Sequence, residues 1–195
     1  MIASCIYGID LNPMAVELCK VSLWMESMEP GKPLGFLDHR IVRGNGLIGA
    51  TPKLLEAGVP DDAFKPLTGD DKKYVASLKR DNKMQREHGK MSLFAGASNA
   101  DFRELAQVVS EIDLLPDDDV AAVQFKAARW SDLVQSAEYQ DAVHAADTWC
   151  AAFVAPKLDS AVDITHEQFD IARTNPLEVS PAVRERTNVL ASQFA

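Results

Sequence analysis

Residues 6 to 28 read Ile6-Tyr7-Gly8-Ile9-Asp10-Leu11-Asn12-Pro13-Met14-Ala15-Val16-Glu17-Leu18-Cys19-Lys20-Val21-Ser22-Leu23-Trp24-Met25-Glu26-Ser27-Met28, and this stretch constrains the fold more than any other. The apolar run from Cys5 to Ile9 stops at Asp10, which predicts a short buried strand. Asn12 can cap a helix and Pro13 suits its first position. Val16, Leu18, Val21, Leu23, Trp24 and Met28 keep that helix apolar around much of its circumference, so it is expected to be well buried. Pro30-Gly31-Lys32-Pro33 ends it. His39 to Arg43 reads as a second strand, and Gly44 to Gly49 as a glycine-rich turn. A strand, a crossover helix and a strand in this order close as a right-handed parallel βαβ unit. In open α/β sheets, ligands bind beyond the carboxyl ends of the strands, where Asp10 lies.

After Pro52 the pattern is helical almost throughout. Pro52 to Ala57 predicts a turn or two. Asp70 or Asp71 caps a helix running towards Gly89, with Tyr74, Val75 and Leu78 on one face. Ser98 or Asn99 starts the next, carrying Phe102, Leu105, Val108, Val109, Ile112 and Leu115. Asp117 and Asp118 precede a third, with Val120, Val123, Ala127, Trp130, Leu133 and Val134. A fourth presents Tyr139, Val143, Ala146, Trp149, Cys150 and Phe153. Short connections between the last three suggest an antiparallel bundle. Thr165-x-x-Gln168 is a capping-box pattern for a short helix through Ile171, and Pro181 opens a final helix to about Gln193. The fold class is therefore α/β, mostly α: a two-stranded parallel piece over residues 1–50, then a helical segment over 51–195.

Composition bounds the partners. The 195 residues are 47% apolar, enough for a folded core, and carry a net charge of −9. A free-standing nucleic-acid binder is usually basic. The imbalance is uneven, however, and residues 51–95 hold nine Lys or Arg against seven Asp or Glu. Three cysteines without a CxxC spacing make neither a disulfide framework nor a zinc site, and free cysteines are usually small buried apolar groups. No run approaches the length of a membrane span, and the first residues lack the pattern of a signal peptide. A cytoplasmic protein is expected.

Several residues invite a functional reading. Asp10 either accepts hydrogen bonds from the two hydroxyls of a ribose, with Leu11 against the attached base, or flanks a helix with no ligand. Gly44-Asn45-Gly46-Leu47-Ile48-Gly49 matches the dinucleotide fingerprint G-x-G-x-x-G, but it runs into Ala50-Thr51-Pro52 rather than a long apolar helix. No acidic strand end follows about 20 residues on, so the match is read as a decoy. Asn175-Pro176-Leu177-Glu178 has a faint likeness to the N-P-P-aromatic loop of amino-methyltransferases, yet lacks its second proline and its aromatic. It is read as a helix-ending turn. His39, His88, His144 and His166 show no ligand spacing, so no metal site is assigned. The basic run Lys72, Lys73, Lys79, Arg80, Lys83, Arg86 and Lys90 is either a solvated helix face or a phosphate contact.

The block from Ile6 to Met28, with Pro33-Leu34-Gly35-Phe36-Leu37-Asp38-His39-Arg40 and Gly44-Asn45-Gly46-Leu47-Ile48-Gly49, resembles one family closely. It is similar to the large adenine-specific DNA methyltransferases of restriction-modification and phage-defence systems, including type IIG-like enzymes. Ala145 to Phe153 and Pro181 to Arg184 also look like that family's helical segment. The resemblance implies a class I methyltransferase sheet, with Asp10 binding the ribose of S-adenosylmethionine and Leu11 packing on its adenine. It places Asn45, with Gly46 beside it, at the adenine edge. It assigns no catalytic residue here, because the glycine loop that precedes this block in the family and the N-P-P-aromatic motif that follows are not found. The chain is therefore expected to be an internal piece, inactive alone and weak or silent in cofactor binding. Its expected partners are the remainder of a methyltransferase chain, DNA through that parent, and a second copy through an exposed strand edge. The alternative is a non-enzymatic helical interaction module.

Overall fold

The computed structural model describes residues 5–27, 33, 35–89, 98–159 and 162–194. The elements in order are β1 (Gly8–Asp10), α1 (Pro13–Glu26), β2 (Ile41–Arg43), α2 (Pro52–Ala57), a 3-10 turn (Asp61–Phe64), α3 (Lys72–Gly89), α4 (Ser98–Leu114), α5 (Val120–Gln135), α6 (Ala137–Val154), α7 (His166–Thr174), a second 3-10 turn (Pro176–Glu178) and α8 (Pro181–Phe194). The fold is α/β and mostly helical. β1 and β2 pair in parallel, with Gly8 opposite Ile41, Ile9 opposite Val42 and Asp10 opposite Arg43. By contacts the chain divides into two units. One comprises residues 1–47, 104–139 and 195; the other comprises 48–103 and 140–194.

The helix starts follow their capping residues. Asn12 Oδ1 accepts from Met14 N at 2.9 Å, Asp71 Oδ1 from Lys73 N at 2.8 Å, and Asp119 Oδ1 from Ala122 N at 2.8 Å. These bonds satisfy amides that the helix itself leaves unpaired. The capping box at Thr165 does not form. The Thr165 side chain makes no cap bond, and α7 runs on past Ile171 to Thr174. Side chains of α3 take over: Asn82 Oδ1 accepts from His166 N at 2.9 Å and Gln85 Oε1 from Glu167 N at 3.2 Å.

In the first unit α1 covers one face of the β1–β2 pair. Val16 meets Leu37 and Ile41 there, with Leu23 beside them. Two expectations are corrected. The first strand begins at Gly8 rather than Cys5 and is not buried, for Tyr7 and Ile9 are exposed. Nor is α1 well buried: Met14, Leu18, Val21 and Met25 face solvent and only Val16 is enclosed. The cause is the size of the sheet. Two strands offer one helix a single narrow contact, and no third strand lies along β1 among the described residues. The second strand likewise starts late, at Ile41, because residues 38–40 form a turn. Arg40, buried in that turn, donates to Asp113 Oδ2 at 2.7 Å and lies over the Tyr7 ring at 4.8 Å. His39 Nε2 also meets Asp113, while its ring stacks on Phe36 and tilts against Trp130. Lys126 on α5 is buried, and its Nζ donates to the carbonyls of Asp113 (3.0 Å) and Leu115 (3.2 Å) at the end of α4.

The second unit holds the larger core, built on Val59, Phe64, Val75, Trp149 and Phe169. Asn82 is 0% exposed at its centre. Its Nδ2 donates to Val59 O at 3.0 Å and lies 3.4 Å from Asp61 Oδ1. Trp149 Nε1 donates to Gly58 O at 3.0 Å. Gly58 has φ +75°, and a Cβ there would sit 2.4 Å from His166 Cε1, so both the backbone angle and the packing require glycine. The buried side of α6 is His144, Ala145, Thr148, Trp149, Ala151 and Ala152. The expected stripe shared only Trp149 with this set, since alanines let neighbours approach where larger side chains stand to the sides. Lys157 is buried after α6, and its Nζ donates to Ala155 O at 3.2 Å and Phe153 O at 3.4 Å. Burial lowers its pKa.

The cysteines depart from the expected burial. Cys5 and Cys19 are exposed and Cys150 is half-buried, all three as free thiols. Exposure of the first two follows from the open β1 and α1.

Candidate functional site

Two loops meet at the carboxyl end of the sheet. The first leaves β1 as Asp10-Leu11-Asn12, and the second leaves β2 as Gly44-Asn45-Gly46. Gly44 N donates to Asp10 O at 3.0 Å, extending the ladder by one bond beyond the strands and tying the loops together. The Asp10 side chain is held as well, since its Oδ1 accepts from Asn12 N at 2.7 Å. That is an Asx turn, and it aims the carboxylate before α1 begins. Asn12 therefore has two tasks, donating to Asp10 through its backbone and capping α1 through its side chain. The sequence signal for the first task was Asp10 itself, because an Asx turn takes its donor from the backbone two residues on whatever side chain stands there.

The remaining chemistry of the site is open. Asp10 is exposed, and its Oδ2 carries no hydrogen bond among the described residues. Leu11 is 53% exposed. Asn45 Oδ1 accepts from Leu47 N at 3.0 Å, which orients its amide and leaves Nδ2 available. A Cβ built on Gly46 meets nothing within 4 Å, so space remains beside that amide. A carboxylate oxygen, an apolar side chain and an amide edge suit a diol, a flat base and the polar edge of that base respectively. Arg43 faces Asp10 in register without forming an ion pair.

The other sequence candidates do not join this corner. The Gly44–Gly49 segment leads into α2, a helix of only six residues, as the decoy reading required. Residues 175–178 form the end of α7 and a 3-10 turn with Leu177 94% exposed, in keeping with a helix-ending turn. No group of three or more His, Cys, Asp or Glu able to hold a metal occurs among the described residues. His39 and His144 are buried in their respective units, and burial lowers the pKa of both. No described helix is long and apolar enough to cross a membrane.

A carboxylate at the end of a parallel strand, joined to a glycine-flanked loop on the neighbouring strand, stands where open α/β sheets generally take their ligands. The particular family follows from comparison with known ones. The chain belongs to the Eco57I restriction-modification methylase family, whose model matches residues 4–176. Methyl transfer in a restriction-modification system is what that family's description states. No curated protein and no solved structure matches the chain.

Proposed function

We propose that the chain is part of a DNA methyltransferase that transfers a methyl group from S-adenosylmethionine to the N6 of adenine in a restriction-modification or phage-defence system. On this reading residues 1–50 are a partial cofactor-binding core and residues 51–195 a helical insertion. Asp10 accepts the ribose hydroxyls, Leu11 packs on the cofactor's adenine, and Asn45 with Gly46 meets the adenine edge. The single observation that supports this most is the Gly44 N to Asp10 O bond at 3.0 Å, because it holds the carboxylate and the Asn45 amide at one end of one sheet. The protein's contribution to such a reaction is orientation: the nucleophile belongs to the substrate base and the methyl group to the donor.

The site is shallow in the described residues. Asp10, Leu11 and Gly46 are all exposed, whereas a well-held small ligand has most of its surface enclosed. The isolated chain should therefore bind S-adenosylmethionine weakly.

The test uses the methyltransferase that contains this chain. Asp10→Ala should weaken S-adenosylmethionine binding at least tenfold by calorimetry, since two charge-assisted hydrogen bonds go with the carboxylate. Unchanged affinity would refute the ribose assignment and favour a helical interaction module, in which the βαβ unit is structural only.

A further inference from the structure

The strongest feature outside this corner is the outer face of α3. The helix carries six Lys or Arg against two carboxylates, in a chain whose overall charge is −9. Its inner face is fixed by packing: Val75, Leu78 and Asn82 are buried. The opposite face therefore points to solvent. Lys72, Lys79 and Lys83 fall within about 40° of one another around the helix, and Lys73 and Arg80 form the adjoining row. All five are exposed.

These cations are largely uncommitted. Among the described residues Lys72, Lys73, Lys79 and Arg80 have no carboxylate within ion-pair distance. Lys83 reaches Glu87 only at 4.0 Å, on the exposed surface, where such a pair is worth little. Asp62 acts on Lys79 at longer range but bonds to Lys65 at 3.0 Å. Arg86 is the exception, tied to Asp61 at 3.1 Å.

We infer that this face of α3 is a docking surface for the phosphate backbone of duplex DNA. The inference rests on the reading of the chain as part of a DNA methyltransferase, and charge complementarity carries it. From Lys72 to Lys83 the helix advances about 16 Å at 1.5 Å per residue. That length of duplex axis presents about five phosphates on each strand. Single-sign cations along it neutralise phosphates and release condensed counterions. The contact reads no sequence; it holds the duplex in place while other parts of the protein address the base.

The experiment measures binding of a labelled 20-base-pair duplex to the 195-residue chain by fluorescence anisotropy, from 25 to 200 mM NaCl. Glutamine keeps the helix-forming tendency of lysine, so K72Q/K79Q/K83Q should fold normally by circular dichroism. Removing three phosphate contacts lowers the slope of log affinity against log salt by about 2.7, which is about 40-fold between 50 and 200 mM. The control K53Q/R103Q/R129Q removes the same charge from exposed positions elsewhere and should leave the slope near that of the unmodified chain. Equal losses in both variants would mean a diffuse charge effect and overturn the proposal. Absence of duplex binding by the unmodified chain at 25 mM salt would mean a merely solvated face and also overturn it. Neither outcome bears on Asp10, whose cofactor assay stands or fails separately.

Discussion

Asn82 is the side chain whose loss should cost the second unit most. It is fully buried and uses both ends of its amide. Nδ2 serves the Val59 carbonyl at 3.0 Å, and Oδ1 serves the His166 amide at 2.9 Å. Asn82→Ala removes a hydrogen bond from both backbone groups, and Val59 is itself 0% exposed. The buried Val59 carbonyl costs about 1–3 kcal/mol when its donor goes, and the part-buried His166 amide adds about 1 kcal/mol, so the variant should lose about 2–4 kcal/mol. Asn82→Asp separates the two ends. It keeps the acceptor for His166 but replaces the donor with a second oxygen, facing the Val59 carbonyl and Asp61, and should be no better than alanine. Gln85→Ala provides the comparison, since Gln85 supports the same helix start from a more exposed position through Glu167 N. It should cost less than about 1 kcal/mol. Urea unfolding of the three variants, with slopes checked for a common unfolded state, measures these differences. A loss below about 1 kcal/mol for Asn82→Ala would refute the argument, since it would mean that water or relaxation satisfies Val59 and His166.

Two further outcomes follow from burial. Cys5 and Cys19 should react rapidly with a thiol reagent at pH 8 and Cys150 slowly, because burial and the Asp147 carboxylate push its thiol up to about 11. A third fast thiol in the folded chain would contradict the burial of Cys150, and a protected Cys19 would contradict the exposure of α1. The buried imidazoles of His39 and His144 set a pH dependence. Both have folded pKa values below the ordinary 6.5, so the unfolded chain takes up protons first. Their contribution is complete above about pH 6.5 and is lost as the pH falls towards the folded values. Urea midpoints should decline from pH 7 to 5, and His39→Gln combined with His144→Gln should flatten that decline; an unchanged slope would show that other groups cause it.

Local signals in the sequence placed most elements. Asn12-Pro13, Asp71 and Pro181 each stand at the start of a helix, because a cap or a fixed φ acts within a few residues of where it is encoded. The parallel pairing that brings Asp10 beside the Gly44–Gly46 loop was legible for a related reason: a strand, a helix and a strand have few ways to close. Burial was less legible. The composition of α1 and of the run before Asp10 indicates enclosure, yet enclosure depends on what else packs there, and the described residues supply only Leu37, Ile41 and the pair's own strands. Polar partners distant in sequence carried no signal at all. Asp113 lies 74 residues from His39 and 73 from Arg40, and Asn82 lies 84 from His166. At Thr165 the helix start is served from a distance instead: Asn82 takes the His166 amide, Gln85 takes the Glu167 amide, and the threonine makes no cap bond.

The two buried lysines explain how α4 and α6 end without glycine. Among the described residues only Gly58 and Gly69 have positive φ, and neither follows these helices. Pro116 and Pro156 stand instead just beyond them. Proline stops a helix but cannot wrap the chain back to satisfy its last carbonyls. Lys126 and Lys157 accept that task, each ammonium drawing together two carbonyls that a left-handed residue would otherwise serve. The exits of both helices are thus punctuated by a pair of residues acting together, one to halt the spiral and one to close its dipole. Exchange of either lysine for methionine, harmless to the volume of the core, would leave a helix that stops in the right place with its end undone.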